Sequence, residues 1–362
     1  MQKRLRVGIL FGGRSGEHEV SLQSAASILK AIDRDRFDVA PIGIAKDGRW
    51  LTGADAQALL ENRVPRATKA SGPQRLAEGI SALHGLDVVF PVLHGTFGED
   101  GTVQGLFELA GIAYVGSGVL GSSAGMDKDA MKQLFAHAKL PLVKHVTLLR
   151  ADWEKSPRKA VALIEKTLKY PVFVKPANLG SSVGISKAHD RKELKPALDL
   201  AAKYDRKLVI EQGVQGKTAR AHEFEVAVLG NDDPIASVVG EIVPDKEFYD
   251  YESKYLTEGS VPVIPAKISR AESKQIRAMA VAAFRACDLS GLARVDFLME
   301  PDGRRRIYLN EVNTLPGFTR ISMYPKLWEA TGTTYRSLIT RLIELALERH
   351  QDRARTVFTR ED

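Results

Sequence analysis

Short apolar runs that end directly in glycine-containing loops constrain the fold of this chain most strongly. Leu5–Leu10 leads into Gly12, and Asp87–Val92 leads into a loop that begins at Leu93. A further strand is predicted at Val39–Ile44. Short buried strands separated by helices are typical of a parallel sheet that is covered on both faces. The first third of the chain is therefore predicted to be an α/β unit.

The helices of this unit are predicted from caps and periodicity. Ser21 is a candidate N-cap for a helix that runs to Ile32, and a second helix is predicted at Gly101–Ala110. Residues 61–78 are polar and irregular, which predicts an excursion on the surface.

The pattern changes after Met126. A helix is predicted at Asp129–Ala138, the strand Val172–Pro176 ends at a proline, and a Gly/Ser loop follows at Gly180–Gly184. This region predicts a small α+β unit. It is completed by the helix Arg191–Lys203 and the strand Leu208–Glu211.

The last part of the chain has strands at Phe224–Leu229, Ala293–Met299 and Ile307–Asn310, with helices at 270–286 and Tyr335–Glu348. Three domains follow from these shifts: 1–125, 126–214 and 215–362. The predicted fold class is α/β and α+β, with an N-terminal parallel sheet and two α+β subdomains.

Composition narrows the classes of partner. The chain has 362 residues and a net charge of +7, but 52 basic residues are nearly matched by 45 acidic ones. Such diffuse charge favours a solvated surface over nucleic-acid binding. No apolar run reaches the roughly 18 residues of a membrane span, and no signal peptide is predicted. The single cysteine, Cys287, is predicted to be buried in a helix, as in a protein from a reducing compartment.

Two loops after predicted strands are candidate ligand sites. One contains Gly12, Gly13 and Glu17, and the other begins with His94. Ligands of open α/β sheets bind at the carboxyl ends of strands, and helix starts favour anions. Taken alone, each motif is equally compatible with a plain turn or with a histidine that bonds the backbone.

A third candidate is the loop that follows Lys175. A lysine at the end of a strand can contact phosphate, and the backbone N–H groups of a Gly/Ser loop can form an anion nest. The spacing does not match a Walker A motif. A flexible surface hairpin is the competing interpretation.

A fourth candidate lies on two late strands. Alternation places Arg294 and Asp296 on one face of their strand, and Glu311 and Asn313 share a face of the next. If the strands pair as a hairpin, two carboxylates and an amide oxygen converge, which suits Mg²⁺. Polar decoration of a solvated sheet face is the alternative.

In combination, these motifs resemble the D-alanine–D-alanine ligases of the ATP-grasp superfamily. The resemblance runs from Val7 to about Leu347. Its motifs are Gly-Gly-Arg-Ser-Gly-Glu-His-Glu-Val-Ser from Gly12, Leu-His-Gly-Thr-Phe-Gly-Glu-Asp-Gly from Leu93, Gly-Ser-Gly from Gly116, Met-Asp-Lys from Met126, Val-Lys-Pro with Gly-Ser-Ser-Val-Gly, Tyr-Asp-Tyr-Glu-Ser-Lys-Tyr from Tyr249 and Asn-Glu-Val-Asn-Thr-Leu-Pro-Gly-Phe-Thr from Asn310.

The resemblance implies a set of ATP contacts. Lys128 and Lys175 would contact the phosphates, and the loop that contains Ser181, Ser182 and Val183 would cover them. The adenine hinge would be formed by Glu211, Gln212 and Val214. Glu223 would contact the ribose, and Lys254 would lie on the lid. It also implies two Mg²⁺, with Mn²⁺ as an alternative, on Asp296, Glu311 and Asn313.

The resemblance further implies the amino-acid contacts and the catalytic residues. Glu17, His94 and Ser181 would hold the first D-alanine, Arg294 and the Gly317 backbone would face the oxyanion, and Ser322 would hold the carboxylate of the second D-alanine. Tyr255 lies in the segment 244–260, which is predicted to close over the site. The implied catalytic set is Glu17, Ser181, Arg294 and Tyr255.

The expected function is ATP-dependent ligation of two D-alanines in the cytoplasm, by a homodimer that binds neither nucleic acid nor membrane. Two alternatives stay open: an ATP-grasp ligase with another acceptor, such as D-lactate or D-serine, and a non-catalytic nucleotide sensor or basic nucleic-acid binder. The stretch from Lys217 to His222 is less typical of the family, which weakens the role of Glu223. Arg320 is unexplained by the sequence.

Overall fold

The computed structural model describes residues 4–63, 72–180, 182–216, 220–244 and 260–360. Within these ranges the secondary structure forms three sheets with flanking helices.

The first sheet has five strands in the order β3-β2-β1-β4-β5, and it is parallel except where β3 pairs with β2. Its strands are β1 (Leu5–Gly12), β2 (Phe37–Ile44), β3 (Trp50–Thr52), β4 (Val88–Val92) and β5 (Ala113–Tyr114). Its helices are α1 (His18–Ala31), α2 (Gly53–Leu60), α3 (Gly72–Ala82), α4 (Thr102–Leu109) and α5 (Val119–Met126). β1 and β4 are adjacent and parallel, so the loops after both strands emerge at the same edge of the sheet.

Two local predictions for this region were wrong. Helix α1 begins at His18, not at a Ser21 cap. Ser21 is buried inside the helix, where its hydroxyl accepts a hydrogen bond from Gly12 N (2.7 Å) and donates to Val92 O. The predicted irregular segment 61–78 contains the first part of α3, whose packing against Trp50 is a tertiary contact.

The second sheet is antiparallel, with four strands in the order β6-β9-β7-β8. Its strands are β6 (His145–Leu149), β7 (Val172–Pro176), β8 (Ser186–Ala188) and β9 (Lys207–Gln212). The helices of this region are α6 (Lys128–His137), α7 (Arg150–Lys155), α8 (Pro157–Thr167) and α9 (Arg191–Tyr204). Asp127 caps α6 by accepting hydrogen bonds from the backbone of Asp129 and Ala130.

The third sheet is also antiparallel, in the order β12-β11-β10-β13-β14. Its strands are β10 (His222–Gly230), β11 (Ile235–Pro244), β12 (Ser260–Val263), β13 (Gly291–Met299) and β14 (Ile307–Asn313). Its helices are α10 (Arg270–Ala286), α11 (Met323–Thr331) and α12 (Tyr335–Arg353). The predicted hairpin of β13 and β14 is confirmed, with Asp296 directly opposite Glu311.

Two cores run between these units. Helices α11 and α12 pack with the first sheet in one core, which contains Phe11, Phe90 and Trp328. Helix α6 packs through Phe135 into the core of the third sheet, where Cys287 is also buried, as predicted. The three sheets fall within the predicted ranges 1–125, 126–214 and 215–362, and those boundaries stay predictions. None of the helices in the described residues is long and apolar enough to span a bilayer.

Candidate active site

A cavity of about 370 Å³ lies where the three sheets meet. It is lined by predicted site residues from both ends of the chain, namely Glu17, His94, Lys128, Ser182, Arg294, Glu311, Asn313, Gly317 and Ser322. Glu99, Glu225 and Met131 are among the lining residues that were not predicted. Residues that are up to about three hundred positions apart in sequence therefore face one space.

The loops after β1 and β4 build the first wall of this cavity. Ser15 Oγ donates to His94 O (2.6 Å) and accepts from Glu17 N (3.2 Å), so the two loops are tied together. Both Glu17 and His94 are buried. A Cβ atom on Gly180 would lie 2.8 Å from Glu17 Oε2, so glycine lets the loop after β7 approach this carboxylate closely.

His94 is oriented by the loop that follows β14. Its Nδ1 donates to Leu315 O (2.8 Å), and its Nε2 lies 3.4 Å from Ser24 Oγ. Burial lowers the pKa of His94, outweighing the charge of Glu17. A neutral ring with Nδ1–H leaves Nε2 as the acceptor.

Glu99 is a half-buried residue of this wall whose role the sequence did not reveal. Its carboxylate accepts hydrogen bonds from Gly95 N (2.8 Å), Leu315 N (3.1 Å) and Thr314 Oγ1 (3.3 Å). Burial, reinforced by the nearby charge of Glu17, raises the pKa of Glu99 to about 7. Its place beside His94 in a loop after a strand was the only available signal.

Strands β13 and β14 build the opposite wall. Arg294 binds Asp296 in a bidentate pair (2.8 and 2.7 Å) and lies 3.2 Å from a carboxylate oxygen of Glu225. Asn313 Nδ2 contacts Asp296 Oδ2 at 2.9 Å. The predicted convergence of Asp296, Glu311 and Asn313 is therefore present in the structure. Glu225 was missed, although it lies on β10 directly opposite Asp296.

Two carboxylates and an amide carry the hard oxygen donors that a divalent cation prefers. In this structure Arg294 binds both oxygens of Asp296, and Asn313 directs its NH2 group at the same carboxylate, so these side chains would have to reorient to hold a cation. Arg294 and Lys128 supply positive charge beside these carboxylates, since Lys128 Nζ is 3.7 Å from Glu311 Oε2. Lys128 Nζ also donates to Leu179 O (2.8 Å), which ties it to the Gly/Ser loop.

A buried ion cluster lies behind the cavity. Glu211 accepts from Lys132 and Lys175, each at 2.6 Å, and Lys132 also donates to Asn310 O (3.2 Å). Burial alone would raise the pKa of Glu211, but the two lysines outweigh it and hold the pKa far below its usual range. Lys132 was not predicted, and its spacing of one helical turn from Lys128 was the available signal.

Some predicted ATP contacts do not line the cavity within the described residues, namely Lys175, Val183, Glu211, Gln212, Val214 and Glu223. Lys175 nevertheless feels the charges of Glu311 on β14 and Glu223 on β10, so it lies close to the third sheet. The side chain of Glu211 holds lysines, which leaves only its backbone for the predicted hinge role. Ser181, Lys254, Tyr255 and the remainder of the predicted lid, 245–259, lie outside the described residues.

The unusual stretch before β10 has an explanation in part. His222 Nδ1 is 2.7 Å from Glu241 on β11, and its ring stacks on Phe224. The side chain of His222 is thus fixed against strands β10 and β11. Arg320 is exposed, and nothing in the structure explains it.

Family profiles described as D-ala D-ala ligase N-terminus and D-ala D-ala ligase C-terminus match residues 6–117 and 134–344. The chain is 50% identical to the D-alanine–D-alanine ligase of Natranaerobius thermophilus, with 98% of each chain covered. It is 47% identical to that of Geobacillus thermodenitrificans, over 98% of this chain and 99% of the relative.

Solved structures are similar as well. The D-alanine–D-alanine ligase from Coxiella burnetii matches with a TM-score of 0.80 and 34% identity, covering 97% of this chain and 96% of that one. VanG D-Ala:D-Ser ligase from Enterococcus faecalis matches with a TM-score of 0.81 and 36% identity, covering 95% and 100%. The fold and the site thus define an ATP-grasp carboxylate–amine ligase. Within that class, the chain belongs to the D-ala D-ala ligase family.

Proposed function

We propose that the protein joins two D-alanine molecules in an ATP-dependent reaction in the cytoplasm and thereby supplies D-alanyl-D-alanine for peptidoglycan precursors. One observation carries this proposal. A single cavity brings the buried pair Glu17 and His94 together with the charged residues Lys128, Arg294 and Glu311. This arrangement supports an amino-acid pocket and a phosphate pocket that share one space.

The first step activates a carboxylate. The carboxylate oxygen of the first D-alanine attacks the γ-phosphorus of ATP, the bond to the β-phosphate oxygen breaks, and an acyl phosphate and ADP form. Glu17 is proposed to hold the ammonium group, and His94 and Ser181 are proposed to fix the orientation. A buried carboxylate suits an ammonium because the pair gains strength where water is excluded.

The transferred phosphoryl group needs positive charge around it. Lys128 and Lys175 are proposed to contact the phosphates, and the loop containing Ser181, Ser182 and Val183 is proposed to cover them. The backbone at Glu211, Gln212 and Val214 is the proposed adenine contact, with Glu223 at the ribose and Lys254 on the lid.

Asp296, Glu311 and Asn313 would hold two Mg²⁺, or Mn²⁺, at this wall. When bound, such ions neutralise charge on the phosphoryl oxygens. Arg294 already lies beside Asp296 at 2.7 Å, so a cation and the guanidinium would share one carboxylate.

The second step forms the peptide bond. The amine of the second D-alanine attacks the acyl carbon, and the tetrahedral intermediate then expels phosphate. Arg294 and the Gly317 backbone are proposed to stabilise the oxyanion, and Ser322 is proposed to hold the second carboxylate. Ser322 is preorganised, because its Oγ accepts from Thr319 N (3.1 Å) and bonds Thr319 Oγ1 (2.8 Å). Tyr255 is proposed to close this side.

The test is ADP release with Mg-ATP and D-alanine, with mass detection of the product and with controls that contain L-alanine or no amino acid. We expect release that requires D-alanine and yields the dipeptide. ATP binding without turnover that depends on D-alanine would reject the proposal.

The acceptor can be tested in the same assay, because the VanG relative is named as a D-Ala:D-Ser ligase. We expect D-alanine to outcompete D-serine and D-lactate as the second substrate at neutral pH. Predominant mixed or depsipeptide product would reassign the acceptor. The protein is further proposed to be a homodimer that binds neither nucleic acid nor membrane, and light scattering after size exclusion would test its mass.

A further inference from the structure

A second cavity, of about 320 Å³, lies behind the loop that carries Glu17. Its apolar wall consists of Ile44, Trp50, Leu93, Val103 and Leu106. The volume falls in the range of small-molecule sites, roughly 300–1,000 Å³. His94 lines both this cavity and the proposed active site, and Ser15, which lines the second cavity, hydrogen-bonds to His94 O and Glu17 N.

Helix α3 closes one side of this second cavity. A Cβ atom on Gly79 would lie 2.8 Å from Trp50 Cε2, so glycine lets the helix pack closely on the indole ring. Arg75 lies one helical turn before Gly79 and therefore on the same face of α3. That spacing brings Arg75 to the cavity, with Leu76 beside it.

The charged groups of the second cavity are both cationic. Arg14 and Arg75 line it, and its described lining contains no carboxylate. Arg75 Nε is buried and has no hydrogen-bond partner within the described part of the chain. The carboxylate of Asp47 lies close enough to feel the charge of Arg75, but its hydrogen bond at 2.7 Å goes to Arg49 Nε.

An unpaired buried N–H group is costly, and a charged acceptor would satisfy it. Arg14 is placed at the opposite rim, with its guanidinium carbon 4.9 Å from the ring centroid of Phe97. A ligand with one negative group and an apolar body therefore matches this cavity, because the negative group can bind the arginines and the apolar body can pack on the apolar wall.

We propose that this second cavity is a binding site for a small organic carboxylate with an aromatic or branched apolar body. Binding there is expected to affect the proposed active site through Ser15, which bonds both His94 O and Glu17 N. This coupling rests on the proposed function, whereas the binding site itself does not.

Direct binding is the primary test. Phenylacetate and 2-naphthylacetate would be titrated into the full chain by calorimetry and by tryptophan fluorescence, with phenylacetamide as the neutral match. We expect saturable binding of the acids and at least about tenfold weaker binding of the amide, since one charge-assisted bond is lost. Trp50→Phe should remove the fluorescence response while calorimetric binding persists.

Two variants locate the binding. Arg75→Met should weaken the acids by about tenfold or more, and Leu106→Trp should fill the cavity and abolish binding. Arg158→Met, an exposed arginine of α8, is the matched control and should change nothing. Thermal melting would verify that each variant is folded, and the Arg75→Met result remains informative if Leu106→Trp fails to fold.

Absence of saturable binding at about 5 mM acid would overturn the site, and so would binding that is insensitive to Arg75→Met. The coupling has its own readout: bound acid should raise the KM for the first D-alanine severalfold in the wild type and not in Arg75→Met. Binding with an unchanged KM would overturn the coupling alone. An enzyme inactive with D-alanine would reject the proposed function and leave the binding result standing.

Discussion

The two walls of the proposed active-site cavity hold their polar groups by different means. On the wall built by the loops after β1 and β4, the proposed amino-acid wall, Glu17 and His94 are buried and Glu99 is half-buried, and Glu99 and His94 are fixed by backbone groups such as Gly95 N and Leu315 O. On the wall built by β13 and β14, the proposed phosphate wall, Arg294, Asp296 and Glu225 form ion pairs, and Glu211 pairs with two lysines behind them. The first wall is hydrogen-bonded, and the second is charge-paired.

This difference indicates how the polar groups of each wall are stabilised before a ligand binds. A pocket for a single amino acid needs a few polar groups in fixed orientation, which backbone donors supply at little cost. A pocket for several phosphates needs many charges, which are stable without ligand only if they are paired. The comparison predicts that substitutions on the proposed phosphate wall cause larger losses of free energy, in stability or in catalysis, than substitutions on the proposed amino-acid wall.

The largest effect is expected for Glu211→Gln, which leaves Lys132 and Lys175 buried with less negative charge. Breaking a buried pair typically costs about 3–5 kcal/mol, and we expect a loss of this order in the free energy of unfolding from urea titration. Glu193→Gln, at an exposed pair with His189, should leave the urea midpoint unchanged. Equal effects of the two variants would contradict the charge-paired description.

The next effect is expected for Arg294→Lys. Lysine retains the charge but cannot bind Asp296 in a bidentate pair or reach the oxyanion with a fixed donor. We expect kcat to fall by about 100-fold, or about 2.7 kcal/mol. Arg306→Lys, which alters the pair with Glu300 near the turn of the same hairpin, is the control and should retain full kcat. A wild-type kcat in Arg294→Lys would remove this residue from the proposed mechanism.

The pH dependence of stability tests the amino-acid wall. The pKa of Glu99 is raised to about 7 from a usual value of 4.5, so the folded state binds more protons than the unfolded state between these values. The Glu99 contribution to the free energy of unfolding must therefore fall as pH rises, by about 2 kcal/mol between pH 5 and pH 7.

Glu99→Gln should flatten this decline, which denaturant titrations at pH 5, 6, 7 and 8 would measure. Asp100→Asn, at the neighbouring exposed turn, provides a reference slope. If the free energies of unfolding of Glu99→Gln and the wild type decline in parallel with pH, Glu99 is ionised throughout. The description of this wall as hydrogen-bonded would then be incomplete.

The smallest effect is expected for Gly180→Ala. The new methyl group would lie 2.8 Å from Glu17 Oε2, so the carboxylate or the loop must shift. We expect the KM for the first D-alanine to rise by about tenfold, or about 1.4 kcal/mol, with a small change in unfolding. Gly105→Ala on α4 meets no atom within 4 Å and should leave the KM unchanged. An unchanged KM in Gly180→Ala would show that Glu17 adapts freely.

Much of the strand pattern could be predicted from the sequence because it depends on neighbours along the chain. Alternation alone placed Arg294 and Asp296 on one face, and the turn at Asp302 and Gly303 predicted the hairpin. The prediction of Ser21 as an N-cap was wrong because its hydroxyl accepts a tertiary hydrogen bond from Gly12 N at the end of β1. Short elements such as β3 and β12 were missed, because a strand of three or four residues is too short to show a clear alternating pattern.

The sequence by itself determined the longer strands and helices that carry the motifs, the motifs themselves and the family, because these follow from local spacing and residue type. Only the tertiary structure decided that Glu99, Glu225 and Lys132 belong to the site or its support, since burial and charge pairing depend on residues far apart in sequence. Glu99 is the clearest case. Burial and the charge of Glu17, about eighty residues away, raise its pKa to about 7, although the backbone N–H of Leu315 opposes this shift by donating to the carboxylate.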